Sequence, residues 1–352
     1  MICLCHINEH VTNNRQQSPT IANKEAKSVS RFIAHVIPPD TPATGGNAIT
    51  AERIVQELEP KGWKGVVTRR PAFGGYDFIL AYNAWTVGVP LIQSGANPER
   101  IAVIWTGTDL WDGLATFPEM IPLLEHVKGH IVFTPNARDR LLSVAPHWES
   151  KVHVIVPAVD HQLFRPGVIP PSSHLTSALI AGGLRPVKRT HWAIDLIEAV
   201  REKGPQLDLV IAGPSRSDDE DSRVKMKAAP HSWVHLVGEI PRQQMPQYYC
   251  RAGCVLNTSA AEGVSNALME AMACGSCVIA TRIPGNAALI DHGSTGFLFD
   301  TVEEFVEIML FLWNHPKQRQ EIGFNAHRVI HEQHNPWIEQ SQYDQLLSQW
   351  IS

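Results

Sequence analysis

Short apolar runs alternate with amphipathic stretches along most of this chain. RFIAHVI (31–37) leads through a glycine loop into NAITAERIVQEL (47–58), whose apolar positions recur at helical spacing. GVVT (65–68), FILAY (78–82), IAVIW (101–105), HIVFT (130–134) and KVHVIVP (151–157) continue the series. Helices are predicted between them near 84–93, over EMIPLLEHV (119–127) and from 136 to 145. Strands that read as unbroken apolar runs between helices belong to a parallel sheet covered on both faces.

The pattern then breaks. Residues 160–176 are rich in proline and have no periodicity, as an interdomain linker would. A second series opens with SALIAGG (177–183) and the helix 190–204. It runs on through LDLVIAG (207–213), VHLVG (234–238), the helix 241–253, CVLNTS (254–259), an apolar helix opened by Glu262, and CVIAT (277–281). Helices near 302–314 and 316–333 close it, and PWIEQSQYDQLLSQW (336–350) is amphipathic again. The predicted organisation is a disordered tail (1–28), a Rossmann-like domain (29–160), a linker (161–175), a second Rossmann-like domain (176–334) and a terminal helix (335–352). That helix is a candidate to pack back on the first domain. The fold class is α/β: two doubly wound domains facing a central cleft.

Composition narrows the function. Of 352 residues, 44% are hydrophobic and 18% charged, which is ordinary for a soluble globular protein. A net charge of −5 argues against nucleic acid as a partner. No run reaches the roughly 18 apolar residues of a membrane span, and the polar first residues lack the apolar core of a signal peptide. A cytoplasmic protein is expected. Cys250, Cys254, Cys274 and Cys277 have a spacing that a zinc or redox site could use. Cys254 and Cys277, however, begin buried-strand runs, where free cysteine is a small core residue. His327 and His331, with His334 beyond, share a polar helix face and are expected to be solvated.

Ligands of doubly wound sheets bind where strand ends feed helix N-termini, which selects loops 38–47, 105–113, 183–189, 213–217 and 259–265. Neither a Walker phosphate loop nor a G-x-G-x-x-G turn is present. Glu262 and Glu270 are eight residues apart, about 12 Å along a helix, so they fit the two ends of an extended ligand rather than one atom. Between them Gly263, Val264, Ser265 and Asn266 would present free backbone N–H groups at the helix start, which suits a diphosphate.

The order of GGLRPVK (182–188), VIAGP (210–214), the E-x7-E helix, IPGN (283–286) and TGFLF (295–299) resembles glycosyltransferase family 4, the nucleotide-sugar enzymes of the GT-B fold. VIVPAVDHQLFRP (154–166) is similar to that family's exit from the first domain. GGNAITAER (45–53) and TGTDLW (106–111) narrow the resemblance to the bacterial selenosugar synthases and the animal glycosyltransferase 1 domain-containing proteins. The resemblance implies that Glu270 bonds the nucleotide ribose and Glu262 the sugar hydroxyls. It makes Lys188, helped by Arg185, the neutraliser of the departing diphosphate. Gly46 and Asn47 would form the glycine loop near diphosphate and acceptor, and Asp109 would face the cleft as acceptor base or orienter.

Two departures qualify this. Gly183 stands where the family has an arginine, and Asn83 where the narrower branches often have a histidine. The expected chemistry is metal-independent transfer from a nucleotide sugar, with a UDP-sugar the first choice, to a small soluble acceptor, selenophosphate among them. No cofactor beyond the co-substrate is expected. A non-catalytic nucleotide-sugar binder and a zinc or redox cysteine protein stand as alternatives.

Overall fold

A computed structural model describes residues 31–70, 75–167 and 175–351. The tail 1–28 and residues 168–174 of the linker lie outside the described residues. The first domain carries β1 (Arg31–Val36), α1 (Gly46–Leu58), β2 (Trp63–Thr68), β3 (Phe78–Tyr82), α2 (Val89–Gln93) and β4 (Ile101–Ile104). It continues with α3 (Leu114–Thr116), β5 (Gly129–Val132), α4 (Pro135–Val144) and β6 (Val152–Val154). All six strands are parallel, in the order β2-β1-β3-β4-β5-β6. Alternation along each strand sends residues to two cores, Ala34 and Val36 to one and Ile33 to the other. Both faces of the inner strands β3, β4 and β5 are buried, which is why these strands read as unbroken apolar runs.

The second domain carries β7 (Ser177–Ala181), α5 (Thr190–Arg201), β8 (Asp208–Ala212), α6 (Asp218–Ala228), β9 (Val234–Gly238) and α7 (Met245–Arg251). Then come β10 (Cys254–Asn257), α8 (Asn266–Ala273), β11 (Val278–Thr281), α9 (Pro284–Ala287), β12 (Phe297–Phe299), α10 (Val302–Asn314) and α11 (Pro316–Gln333). Its strands are parallel in the order β12-β11-β10-β7-β8-β9. Winding reverses between β7 and β10, so the loops leaving those two strands open a crevice at the sheet's carboxyl edge.

The chain crosses between domains twice. Val159 N donates to His334 O at 3.1 Å and His334 Nδ1 bonds Pro157 O at 2.7 Å, so the two crossings are tied side by side. Beyond them α12 (Pro336–Trp350) returns to the first domain. Tyr343, Leu346 and Leu347 join its core, and Trp350 stacks on Phe78 with ring centroids 5.4 Å apart.

Several local expectations change. Pro118 and Pro122 remove backbone donors, so the helix expected over 119–127 is a 3₁₀ stretch, Pro118–Leu124. A sixth strand, β12, arises in TGFLF, where three residues are too few for a periodicity signal. His327 is not simply solvated: Nδ1 bonds Ala273 O at 2.8 Å, and His334 is buried. Cys254, Cys274 and Cys277 are buried free thiols in the core. Among the described residues no group of His, Cys, Asp or Glu is arranged to hold a metal, and no helix is long and apolar enough to cross a membrane.

Candidate functional site

Lys188 and Glu262 meet at the switch point. Lys188 ends the 3₁₀ turn Pro186–Lys188 before α5, and Glu262 lies in the loop between β10 and α8. Their side chains form a partly buried ion pair. Glu262 Oε1 also accepts from Ser259 Oγ at 2.7 Å and Asn257 Nδ2 at 3.2 Å. Burial alone would raise the Glu262 pKa, but Lys188 and these two donors outweigh it and hold the carboxyl below its usual range. Lys188, Asn257, Thr258 and Ser259 line a small pocket that reaches Gly182 and Thr190.

The helix does not begin at Glu262. Ser265 caps α8 and Asn266 is its first residue, so Glu262 and Gly263 belong to the preceding loop. Small residues crowd there because the loop runs against the first domain. A Cβ on Gly263 would stand 2.7 Å from Thr106 O, and one on Gly107 would stand 2.1 Å from Gly263 N. Val264 packs against cores of both domains. Asn266 Nδ2 reaches Gly46 O at 3.5 Å, which brings the first-domain glycine loop and its half-buried Asn47 over the start of α8. Arg185 is exposed, without a side-chain partner among the described residues.

Glu270 lies deeper, on α8. Its carboxylate accepts from Arg242 Nε at 3.3 Å and from Tyr249 Oη at 3.2 Å. Burial, opposed by these two partners, pushes its pKa up to about 7. Arg242 is in turn seated over the Phe164 ring at 4.8 Å.

Asp109 needs correction. Expected to face the cleft, it is 1% exposed. Its Oδ2 accepts from Ala84 N at 2.9 Å, and Oδ1 from Thr106 N and Gly107 N, each at 2.9 Å. A carboxylate buried this deeply and bonded to three backbone amides does not face the cleft. It instead shapes the turn that presses Gly107 on Gly263. Asn83 also shapes backbone. At φ 88°, its Oδ1 accepts from Trp85 N and Thr86 N and starts the next helical turn. Sequence reasoning also missed Asn257, Ser259, Arg242 and Tyr249. The polar end of the apolar run CVLNTS was the available signal for the first two.

Two outcomes follow from this geometry. Asp109→Asn leaves buried N–H groups short of an acceptor and should cost about 1–3 kcal/mol in urea denaturation while nucleotide binding persists. Unchanged stability with a large loss of turnover would restore Asp109 as a base. For Glu270, the raised pKa means the folded state binds the proton more tightly than the unfolded chain between about pH 4.5 and 7. Wild-type stability relative to Glu270→Gln should therefore fall as pH rises through that window, by about 3 kcal/mol, and level off above it. A difference independent of pH from 4.5 to 8 would contradict the assignment.

Comparisons with known proteins bear on the fold and the enzyme class. Residues 176–315 match the family model of group 1 glycosyl transferases. The chain is 28% identical to glycosyltransferase 1 domain-containing protein 1 of Xenopus tropicalis, over 86% of this chain and 94% of that protein. It is 24% identical to a D-inositol 3-phosphate glycosyltransferase of Pseudarthrobacter chlorophenolicus, over 81% of this chain and 71% of the relative. Anabaena HepE, solved in complex with UDP and glucose, superposes with a TM-score of 0.74 at 16% identity, covering 91% of this chain and 100% of HepE. Sucrose-phosphate synthase of Thermosynechococcus elongatus does so with 0.74 at 18% identity, covering 91% and 98%. The chain is a glycosyltransferase of the GT-B fold, similar to family 4, and its second domain holds the group 1 glycosyl transferase region.

Proposed function

We propose that this chain transfers a sugar from a UDP-sugar to a small acceptor. The observation that carries the reading is the Lys188–Glu262 pair at the switch point, directly below the first-domain turn at Gly107. A pyrophosphate competes with Glu262 for Lys188, and the released carboxylate oxygens accept sugar hydroxyls. One exchange thus places both ends of the reacting bond. As the anomeric C–O bond to the diphosphate breaks, the electron pair leaves with UDP, and Lys188 meets the growing charge. The acceptor's nucleophilic atom forms the new bond to the anomeric carbon, and any proton it carries passes to solvent or to the departing diphosphate. Glu270 holds the ribose. UDP and glucose bound to HepE support the donor class, though at 16% identity the likeness is one of fold.

For the acceptor, we favour a small phosphorylated compound entering by Gly46 and Asn47. The D-inositol 3-phosphate glycosyltransferases among the relatives support that class, and selenophosphate belongs to it chemically. The occupied Asp109 favours an acceptor that needs little deprotonation. Charge stabilisation by Lys188 and arginine gives metal-independent transfer, and the buried free thiols suit a reducing cytoplasm.

Calorimetry with UDP, ADP and GDP, followed by mass spectrometry of UDP-sugars with inositol phosphates and selenophosphate, tests the reading. Absence of nucleoside diphosphate binding contradicts it. Lys188→Ala should lower kcat roughly 10²–10³-fold, because a fixed cation contributes most in the transition state. A change confined to KM would remove that role.

A further inference from the structure

Gly183 lies beneath Arg216. A Cβ on Gly183 would stand 2.8 Å from Arg216 Cγ, so the arginine stem fills the space a side chain at 183 would need. Backbone bonds fix this placement. Leu184 N donates to Pro214 O at 2.9 Å and Arg216 N donates to Leu184 O at 3.1 Å, lacing the loops after β7 and β8 together. From there the guanidinium crosses to the first domain. Its Nη2 donates to Thr44 Oγ1 at 2.9 Å and stands 3.5 Å from Glu239 Oε1, which itself accepts from Thr44 Oγ1 at 2.6 Å. Nε and Nη1 have no partner among the described residues.

Two of the neighbouring cations are already engaged. Lys188 is paired with Glu262, and Arg189 donates to Thr258 O at 2.8 Å and Ser259 O at 3.1 Å. A pyrophosphate on the loop 182–188 would therefore meet one contested cation and the exposed Arg185. Arg216 is the further positive charge within that layer. It lies across the same glycine backbone and offers a planar fork of donors that matches phosphate oxygens.

We propose that Arg216 is a donor-binding residue, which takes the pyrophosphate of the nucleotide sugar with the donors Thr44 leaves free and so couples diphosphate recognition to the first-domain loop 44–47. The assignment rests on the nucleotide-sugar reading above. It also accounts for a glycine at 183: any larger residue would displace the arginine that does the work.

The test compares UDP with UMP by calorimetry on the full chain. Arg216→Ala and Arg216→Gln should each weaken UDP about 10–100-fold, the scale of a lost charge-assisted bond, while UMP changes much less. Arg216→Lys should recover part of the loss, having charge without the fork. Thr44→Val, which cuts the bridge but keeps the charge, should leave UDP affinity within about threefold. Equal losses for UDP and UMP, or a Thr44→Val defect as large as that of Arg216→Ala, would make Arg216 an interdomain tie and overturn the proposal. Wild-type binding of UDP that the Arg216 variants do not alter would overturn it alone. Failure of the wild type to bind any nucleoside diphosphate would overturn it together with the function it rests on.

Discussion

Two backbones touch at the centre of this molecule, and the site depends on that contact. Gly107 of the first domain lies on Gly263 of the second, and Gly285 closes from the other side, where a Cβ would stand 2.4 Å from Glu262 O. No side chain can enter this stack without pushing the domains or the loop apart. Asp109 holds Gly107 in place from within the first domain. On the other side Asn286 Nδ2 donates to Asn257 Oδ1 at 3.2 Å, and Asn257 in turn donates to Glu262 and to the α8 cap Ser265. The position of Glu262 is thus set by hydrogen bonds from behind and by glycine contact in front. Its charge is set by Lys188.

The approach of the domains is supported at a distance by α12. Arg53 of α1 donates to Glu339 at 2.8 Å and stands 3.5 Å from Glu57, all three nearly buried. One guanidinium serves two carboxyl groups here. Burial and the Glu339 charge, outweighing Arg53, push the Glu57 carboxyl well above its usual range. A buried set of this kind gains little net stability, but removing one partner strands a charge, which makes the helix's seat specific. Arg53 also donates to Ala158 O at the first domain crossing. The seat of the returning helix and the crossing are therefore one structure.

Much of this was legible in the residues. Unbroken apolar runs disclosed the inner parallel strands, because both faces of those strands are covered. The positions of Lys188 and Glu262 followed from strand ends and from the E-x7-E spacing. What escaped was set by tertiary contact. Glycine at 107, 263 and 285 looks like turn chemistry along the chain, and only the facing domain reveals it as clearance. Asp109 has the same appearance whether it faces a ligand or backbone amides, and Asn83 likewise. Arg216 sits in a loop with no motif of its own, and its relation to Gly183 exists only between two strands' ends.

The central claim is that the second domain binds the donor and that reaction requires the first domain to close on it through Gly263. Gly263→Ala keeps every N–H at the start of α8 and adds one methyl group, placed 2.7 Å from Thr106 O in the closed arrangement. Calorimetric affinity for UDP, measured beside the rate of sugar release or transfer from a UDP-sugar, separates the two steps. The expected result is UDP affinity within about threefold of wild type and a rate lowered by about 10²-fold or more, the scale on which a misplacement of about 1 Å acts. A variant that binds UDP and turns over at the wild-type rate would contradict the claim.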